Sequence, residues 1–330
     1  MTIQDIAFRR LFSQRIGDGH FIDPVGLVKW MGCIRAEDFP GAMWSIGLRV
    51  QGSTENSVEK AFNEGHILRT HVLTPAWRLV AAEDIGWLLA LTAPRIKAFN
   101  SSLYRALGMD EALLRKGRGI LTRGLRDGEL TQTQLMTLIR REKFPIDEVR
   151  LNLLLMDAGL DGLICSGSMD GRQFTYTLMD RRAPARQRCD KASALAELTG
   201  RYFRSRGPAT EKDFLLWSGL RPSEVRIGID MNRHWLAGDT VLGETYWFDP
   251  VPVSPPVQSL HLLPAFDEMA TAYVSKGVFK PAVIIDGQVA GTWTKKVGGI
   301  DVQIPGQTDT WVKEAITRAE QQYRRFHGQL

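Results

Sequence analysis

Basic side chains recur at short spacing in the middle third of the chain. Arg115-Lys116-Gly117-Arg118, followed by Arg123 and Arg126, places five cations within about three turns of a helix. Arg140-Arg141-x-Lys143 forms a second group at a turn between two predicted helices. Cations at this spacing bind nucleic-acid phosphates, although each one alone is equally typical of a solvated helix face. Together they predict a phosphate-binding track.

The sequence does not support a metal site, a redox site or a phosphate-binding P-loop. Cys33, Cys165 and Cys189 are odd in number and far apart, so they form no Cys-x-x-Cys metal or redox motif. The histidines include no His-x-x-x-His pair, and residues 116–119 lack the Gly-Lys-Ser/Thr ending of a phosphate-binding P-loop. We therefore expect neither a metal nor a cofactor.

The net charge of the 330-residue chain is +5, and its distribution is uneven. Residues 95–190 hold 17 basic and 12 acidic side chains, which accounts for the whole surplus, while the flanking parts are close to neutral. A localised basic region is typical of proteins that bind a polyanion. No apolar run reaches the ~20 residues of a membrane span, and the first residues do not resemble a signal peptide. We expect a cytoplasmic monomer without membrane contact.

One pattern occurs three times: a helix, a short turn, a second helix, then strand-like residues. The first copy has helices over residues 25–34, 41–50 and 57–64 and a strand-like stretch over 67–80. In the second, the capping box Thr131-x-x-Gln134 starts a helix to residue 141, a helix over 146–158 follows, and a hairpin turns at Asp170-Gly171. The third has helices over 211–218 and 224–229 and a hairpin that turns at Gly238-Asp239.

Helix, turn, helix and hairpin is the winged-helix unit, which binds DNA in many proteins and other proteins in some. Beyond a proline-rich linker that ends at Pro255-Pro256, strands are predicted over residues 260–263, 279–285, 289–294 and 301–304. A hairpin turn at Asp286-Gly287 and a closing helix over 311–326 complete this part. The sequence predicts an α+β protein: winged helices over 1–94, 95–189 and 190–250, then a β-barrel-like domain with a closing helix over 257–330.

Several segments resemble one known family, the winged-helix DNA-binding proteins related to AlkZ and YcaQ. Residues 31–38 (MGCIRAED) resemble its LG-x-[LM]-Q-A-Q-D segment, and residues 69–80 (RTHVLTPAWRLV) resemble R-T-H-V-L-R-P-T-W-H-F-V. Residues 83–96 continue the match, and residues 262–268 (LLPAFDE) and 286–293 (DGQVAGTW) resemble two further motifs. The family includes bacterial DNA glycosylases that excise alkylated bases and unhook interstrand crosslinks. The resemblance implies tandem winged helices curved around duplex DNA, alkylated or crosslinked duplexes included, in a bacterial repair protein.

The chain departs from the family at the positions that carry its activity. The Gln-x-Gln (or Gln-x-Asp) catalytic pair is replaced by Arg35 and Glu37, the histidine of the second motif by Arg78, and its inner arginine by Thr74. We assign DNA contacts in this second segment to Arg69, Thr70 and Arg78.

These replacements change the expected chemistry. The family reaction needs a water beside C1′ of a nucleotide whose alkylated base is cationic. Glu37 can polarise that water as well as glutamine can, but the guanidinium of Arg35 repels a cationic base in a desolvated site. Arg35 and Glu37 are equally compatible with a helix-end ion pair, and Arg78 with a phosphate contact.

Three hypotheses follow. The first is a DNA-binding protein with an altered and impaired base-excision site. The second is an active DNA glycosylase, hydrolysing the N-glycosidic bond with Glu37 as the base. The third is a winged-helix transcription regulator, which would bind a chosen sequence without excision.

Overall fold

The protein is described by a computed structural model that covers residues 1–17, 21–183, 189–253, 258–274, 278–307 and 309–329. The chain forms two compact units, which we call unit 1 (residues 1–59 and 195–330) and unit 2 (residues 60–194). Helices alternate with small antiparallel sheets, so the predicted α+β class is confirmed. Pro255 and Pro256 of the predicted linker lie outside the described residues.

The described helices and strands follow each other along the whole chain. The helices are α1 (Ile3–Ser13), α2 (Pro24–Met31), α3 (Phe39–Gly47), α4 (Glu55–Asn63), α5 (Ile85–Ala106), α6 (Glu111–Gly124), α7 (Gln132–Arg141), α8 (Glu148–Leu160), α9 (Lys191–Arg206), α10 (Glu211–Ser218), α11 (Pro222–Asn232), α12 (Glu268–Thr271) and α13 (Thr310–Phe326). The strands are β1 (Ile34–Arg35), β2 (Ile67–His71), β3 (Trp77–Ala81), β4 (Leu130–Thr131), β5 (Ile164–Asp170), β6 (Gln173–Leu178), β7 (Ala237–Val241), β8 (Glu244–Phe248), β9 (Leu260–Leu263), β10 (Ala282–Ile285), β11 (Gln288–Lys296) and β12 (Gly299–Gln303).

The second copy of the predicted pattern lies wholly in unit 2. Thr131 caps α7 through the expected capping box, since its hydroxyl accepts from the N–H of Gln134 while the Gln134 side chain accepts from the N–H of Thr131. α8 follows, and β5 and β6 form the hairpin, with β4 on the outer edge of β6. A core from α5, α6, α7 and α8 fills the unit, including Leu121, Leu135 and Leu151.

The third copy lies in unit 1, and one part of its prediction is wrong. Thr210 caps α10, and α10 and α11 precede the β7–β8 hairpin. The hairpin does not turn at Gly238-Asp239, because both residues belong to β7. It turns at Leu242-Gly243, where both residues have positive φ (50° and 81°), as a tight two-residue hairpin turn requires.

The terminal sheet of unit 1 has the strand order β12-β11-β10-β9, all antiparallel. Within the described residues β9 and β12 are its two edges, so the sheet is open and the expected barrel-like closure is not present. Asp286 and Gly287 make the predicted tight turn, with φ of 48° and 81°. α13 packs on β9 and β12 and closes the unit as expected.

The sequence analysis did not predict the helices α1, α5 and α9. Of α6, it predicted only the part that carries the basic residues. α5 runs without interruption through residues 94 and 95, where we expected a domain boundary, with Pro94 inside it. None of the helices in the described ranges combines the length and the apolarity that a bilayer span requires.

Candidate catalytic segment and basic surface

The segment that carries Arg35 and Glu37 links α2 to α3 in unit 1. It begins after Gly32, whose φ of 72° is readily adopted by glycine alone. Alternate residues of an extended chain point to opposite sides. Ile34 and Ala36 are buried in the core, so Arg35 and Glu37 project together on the other side.

Arg35 and Glu37 form an ion pair. Nη2 of Arg35 lies 2.5 Å from Oε1 of Glu37, and Nε donates to the same oxygen at 3.2 Å. The two side chains are 20% and 25% exposed, so the pair is largely shielded from water. The other carboxylate oxygen of Glu37, Oε2, is also buried and has no hydrogen-bond partner within the described part of the chain.

Two aromatic rings hold the guanidinium of Arg35 from other directions. Its Cζ lies 5.7 Å from the ring centroids of both Phe266 and Phe279. A cation near the face of an aromatic ring is attracted by the negative π density. The guanidinium of Arg35 is therefore paired with a carboxylate and lies within cation–π distance of two rings.

The backbone of the segment is fixed by Glu268 at the start of α12. Oε1 of Glu268 accepts from the N–H of Arg35 at 3.0 Å. Oε2 accepts from Nε of Arg206 at 2.9 Å and from the indole N–H of Trp217 at 2.8 Å. Glu268 and Arg206 are both fully buried. A buried carboxylate with this many donors is a stable anion and a rigid anchor.

Arg206 also holds the backbone of the residues that precede Arg35. Its Nη1 donates to the carbonyl of Met31 at 2.7 Å, and its Nη2 to the carbonyl of Cys33 at 2.9 Å. These carbonyls lie at and just after the end of α2, where helical hydrogen bonds stop. The Glu268–Arg206 pair thus satisfies the end of α2 and sets the path toward Glu37.

A second buried ion pair stands directly beside the first. Asp267 Oδ1 lies 2.8 Å from Nη2 of Arg49, and both side chains are fully buried. Asp267 also accepts from the hydroxyl of Ser45 at 2.6 Å, and Arg49 donates to the side-chain oxygen of Gln14 at 2.8 Å. Asp267 therefore holds the last part of α3 and the residue Arg49 just after it, while Glu268 holds the residues before α3.

In unit 2, three predicted DNA contacts lie on the β2–β3 hairpin. Arg69 is on β2, and Thr70 pairs with Arg78 across the hairpin. All three side chains are buried, Arg78 to 2% exposure. The guanidinium of Arg69 lies between the rings of Trp77 (3.9 Å) and Phe174 (4.3 Å). This burial favours a role inside the unit for Thr70 and Arg78.

His71, at the end of β2, stacks against Trp77 with 3.7 Å between the ring centroids. Burial of the imidazole, together with the charge of Arg69, lowers the pKa of His71 from 6.5 to about 3. The ring is therefore neutral throughout the physiological range of pH.

Six of the predicted DNA contacts are exposed on α6 and around the end of α7. We call this set the basic surface: Arg115, Lys116, Arg123, Arg140, Arg141 and Lys143. The two helices are linked by an ion pair between Arg123 and Glu142 (3.5 Å), and Nζ of Lys116 lies 5.9 Å from the ring of Phe144. The structure thus brings the two sequence clusters onto adjoining helices.

Arg118 does not join the basic surface. Its guanidinium lies 2.5 Å from Asp157 and Glu111 and 3.2 Å from Asp161, and its side chain is only 14% exposed. Three carboxylates therefore neutralise this arginine inside unit 2, which favours a structural role.

Sequence reasoning did not identify the buried arginines Arg49 and Arg206 as organisers of the segment that carries Arg35 and Glu37. The one signal was the pair Asp267-Glu268 next to an apolar strand, since adjacent buried carboxylates require cationic partners. Over the described residues, no group of histidine, cysteine, aspartate and glutamate side chains is arranged to hold a metal ion.

Comparisons with known proteins give the family and the fold of the chain. The family described as DNA glycosylase AlkZ-like matches residues 28–275, so the chain belongs to the AlkZ-like DNA glycosylase family. Among solved structures, the DNA glycosylase AlkZ of Streptomyces sahachiroi is similar, with a TM-score of 0.84 at 19% sequence identity. The similarity covers 99% of this chain and 97% of that one, and it shows a shared fold. No curated protein matches.

Proposed function

We propose that this protein binds duplex DNA as a member of the AlkZ-like family and that its base-excision step is impaired. In this proposal the three repeated units over residues 1–94, 95–189 and 190–250 are winged helices that contact DNA, and residues 257–330 form a β-rich closing domain. The observation that carries the impairment is the ion pair between Arg35 and Glu37.

The ion pair weakens Glu37 as a base. To activate a water, a carboxylate must accept a proton or stabilise the positive charge that develops on the sugar. Oε1 of Glu37 already accepts two hydrogen bonds from Arg35. Its electron density is therefore partly neutralised before any substrate is bound, and its rotation toward a water is restrained.

Arg35 also opposes the substrate directly. An alkylated base and the oxocarbenium-like transition state are both cationic. At about 5 Å, in an effective dielectric constant of about 20, two like charges repel by roughly 3 kcal/mol. Glu37 offsets part of this repulsion. A residual of only about 1.4 kcal/mol slows the reaction tenfold.

DNA binding is supported by the basic surface of unit 2. Its six side chains are exposed, and α6 and α7 present them on adjoining helices. Lysine and arginine side chains displace counterions when they contact phosphates, so binding weakens steeply as salt rises.

The test is to measure binding and excision separately. We expect the protein to bind a short duplex at 50 mM salt and to lose at least about tenfold in affinity at 200 mM. With a duplex that carries one N7-methylguanine, single-turnover incubation is expected to release base slowly. Replacing Glu37 by Ala is expected to change that slow rate less than about threefold, because the paired carboxylate contributes little. An affinity that does not change with salt concentration contradicts the proposed DNA contact. Rapid excision that depends on Glu37 contradicts the impairment.

One observation favours active excision as a second candidate. Oε2 of Glu37 is buried and has no hydrogen-bond partner among the described residues, and a buried unsatisfied carboxylate oxygen often marks a functional site. Under this alternative, the wild-type protein excises N7-methylguanine quickly and Glu37→Ala lowers the rate at least about a hundredfold.

A further inference from the structure

Unit 2 contains a cavity of about 770 Å³ between α7, α8 and the strands β2, β3 and β6. This volume lies within the roughly 300–1,000 Å³ typical of small-ligand pockets. Neither Arg35 nor Glu37 is among the residues that line it. Nothing in the proposed excision chemistry uses it.

The lining of the cavity is cationic. Arg69, Arg140 and Arg172 contribute guanidinium groups, against one carboxylate from Glu148. Arg69 is fixed between two rings at the inner wall, whereas Arg140 and Arg172 are exposed. Within the described ranges neither Arg140 nor Arg172 forms an ion pair. Two exposed guanidinium groups at one opening are suited to hold a phosphate.

The walls are suited to a flat ring. Trp77, Phe174 and Tyr176 line the cavity and are only partly buried, and Met136 and Met156 supply a soft apolar surface beside them. Aromatic faces stack on nucleic-acid bases of any sequence.

Two amide side chains line the cavity, Gln132 on α7 and Asn152 on α8. Nε2 of Gln132 donates to Oδ1 of Asn152 at 2.8 Å. This arrangement leaves the oxygen of Gln132 as an acceptor and the NH₂ of Asn152 as a donor, both at the cavity lining. A neighbouring donor and acceptor pair can bind the edge of a base.

We propose that this cavity binds one nucleotide, with the base stacked on the aromatic wall and the phosphate held by Arg140 and Arg172. Two sources supply the same chemistry: a free mononucleotide, or a nucleotide displaced from a DNA duplex. The second source rests on the proposed DNA binding. The first does not.

The experiment uses the full chain and three probes. They are a duplex with one bulged 2-aminopurine nucleotide, the same duplex with 2-aminopurine fully paired, and adenosine monophosphate. We expect the bulged duplex to bind about tenfold more tightly than the paired one and its fluorescence to fall on binding, because stacking quenches 2-aminopurine. Adenosine monophosphate is expected to compete for this additional affinity.

Arg172→Gln tests the cavity itself, because Arg172 is exposed and its replacement leaves the core intact. The variant is expected to lose most of the preference for the bulge while binding the paired duplex within about twofold of wild type. Arg318→Gln, an exposed charge change on α13 of unit 1, is the matched control and is expected to keep the preference.

The outcomes separate the two proposals. Equal affinity for bulged and paired duplexes, with no binding of adenosine monophosphate, overturns the cavity proposal and leaves DNA binding standing. An equal loss of affinity for both duplexes in Arg172→Gln also overturns it, since Arg172 would then be a general phosphate contact. Binding of adenosine monophosphate that Arg172→Gln weakens, with no duplex binding at all, supports the cavity and contradicts the proposed DNA function.

Discussion

The backbone N–H of Arg35 donates to Oε1 of Glu268 at 3.0 Å, although 233 positions separate the two residues in the sequence. Through this bond a carboxylate of α12 fixes the orientation of the segment that presents Glu37. The same carboxylate is held by Arg206 and Trp217, so the segment belongs to a rigid buried network.

Removal of Glu268 is expected to destabilise the protein strongly. Glu268→Ala leaves the fully buried Arg206 without its counter-charge, and breaking one side of such a pair costs about 3–5 kcal/mol. The free energy of unfolding in urea measures the change. Glu314→Ala, which removes the exposed partner of Arg318, is the control and is expected to leave stability almost unchanged. Similar stability for both variants would show that the buried pair does not anchor the segment.

His71 is expected to make stability depend on pH. Its pKa is lowered from 6.5 to about 3 in the folded protein, so below pH 6.5 the unfolded chain binds a proton that the folded chain does not. Above pH 6.5, His71 does not lower the free energy of unfolding. As the pH falls from 6.5 toward 3, the free energy of unfolding decreases progressively. At pH 5 the loss is about 2 kcal/mol.

Urea unfolding at pH 7.5 and pH 5 checks the contribution of His71. His71→Gln should lose about 2 kcal/mol less between these two values than the wild-type protein does. His66→Gln is the control, because the His66 side chain is 62% exposed. An unchanged pH dependence in His71→Gln rules out a buried neutral imidazole.

Two turn glycines are expected to differ in their tolerance of alanine. Gly287 has a φ of 81°, and a Cβ there would lie 2.5 Å from the carbonyl oxygen of Ala7. Gly298 has a similar φ of 85°, but no described atom lies within 4 Å of its Cβ position. Gly298→Ala is therefore expected to cost about 1 kcal/mol from backbone strain alone, and Gly287→Ala at least about 1 kcal/mol more because the backbone must move. Thermal unfolding of the two variants compares them, and equal losses would contradict the close approach of Ala7.

Local patterns predicted the elements that depend on neighbouring residues. The capping box at Thr131 begins a helix where expected, the helix over residues 211–218 is confirmed, and Asp286-Gly287 makes its tight turn. These features need only side chains three or four positions apart. The β7–β8 turn was misplaced because Gly238 and Asp239 have turn-like composition, whereas Leu242, the residue that takes a positive φ, does not.

The site was predicted only in part, for a different physical reason. The sequence identified Arg35 and Glu37 and their pairing as one alternative. It did not show that Glu268, Arg206 and two phenylalanines fix that pair, since these contacts join residues far apart in the chain. Likewise, the sequence predicts one phosphate-binding track along the basic cluster of α6. In the fold, Arg118 turns toward Asp157, while its neighbours stay exposed.

The central claim is that Arg35 restrains Glu37, and the single-turnover rate of N7-methylguanine excision by Arg35→Gln tests it most directly. Glutamine removes the positive charge and the ion pair. The rate is expected to rise at least about tenfold over wild type, and a second replacement, Glu37→Ala, should abolish that gain. Arg318→Gln controls for the change in net charge and should leave the rate at the wild-type value. A rate for Arg35→Gln that equals or falls below that of the wild-type protein contradicts the account.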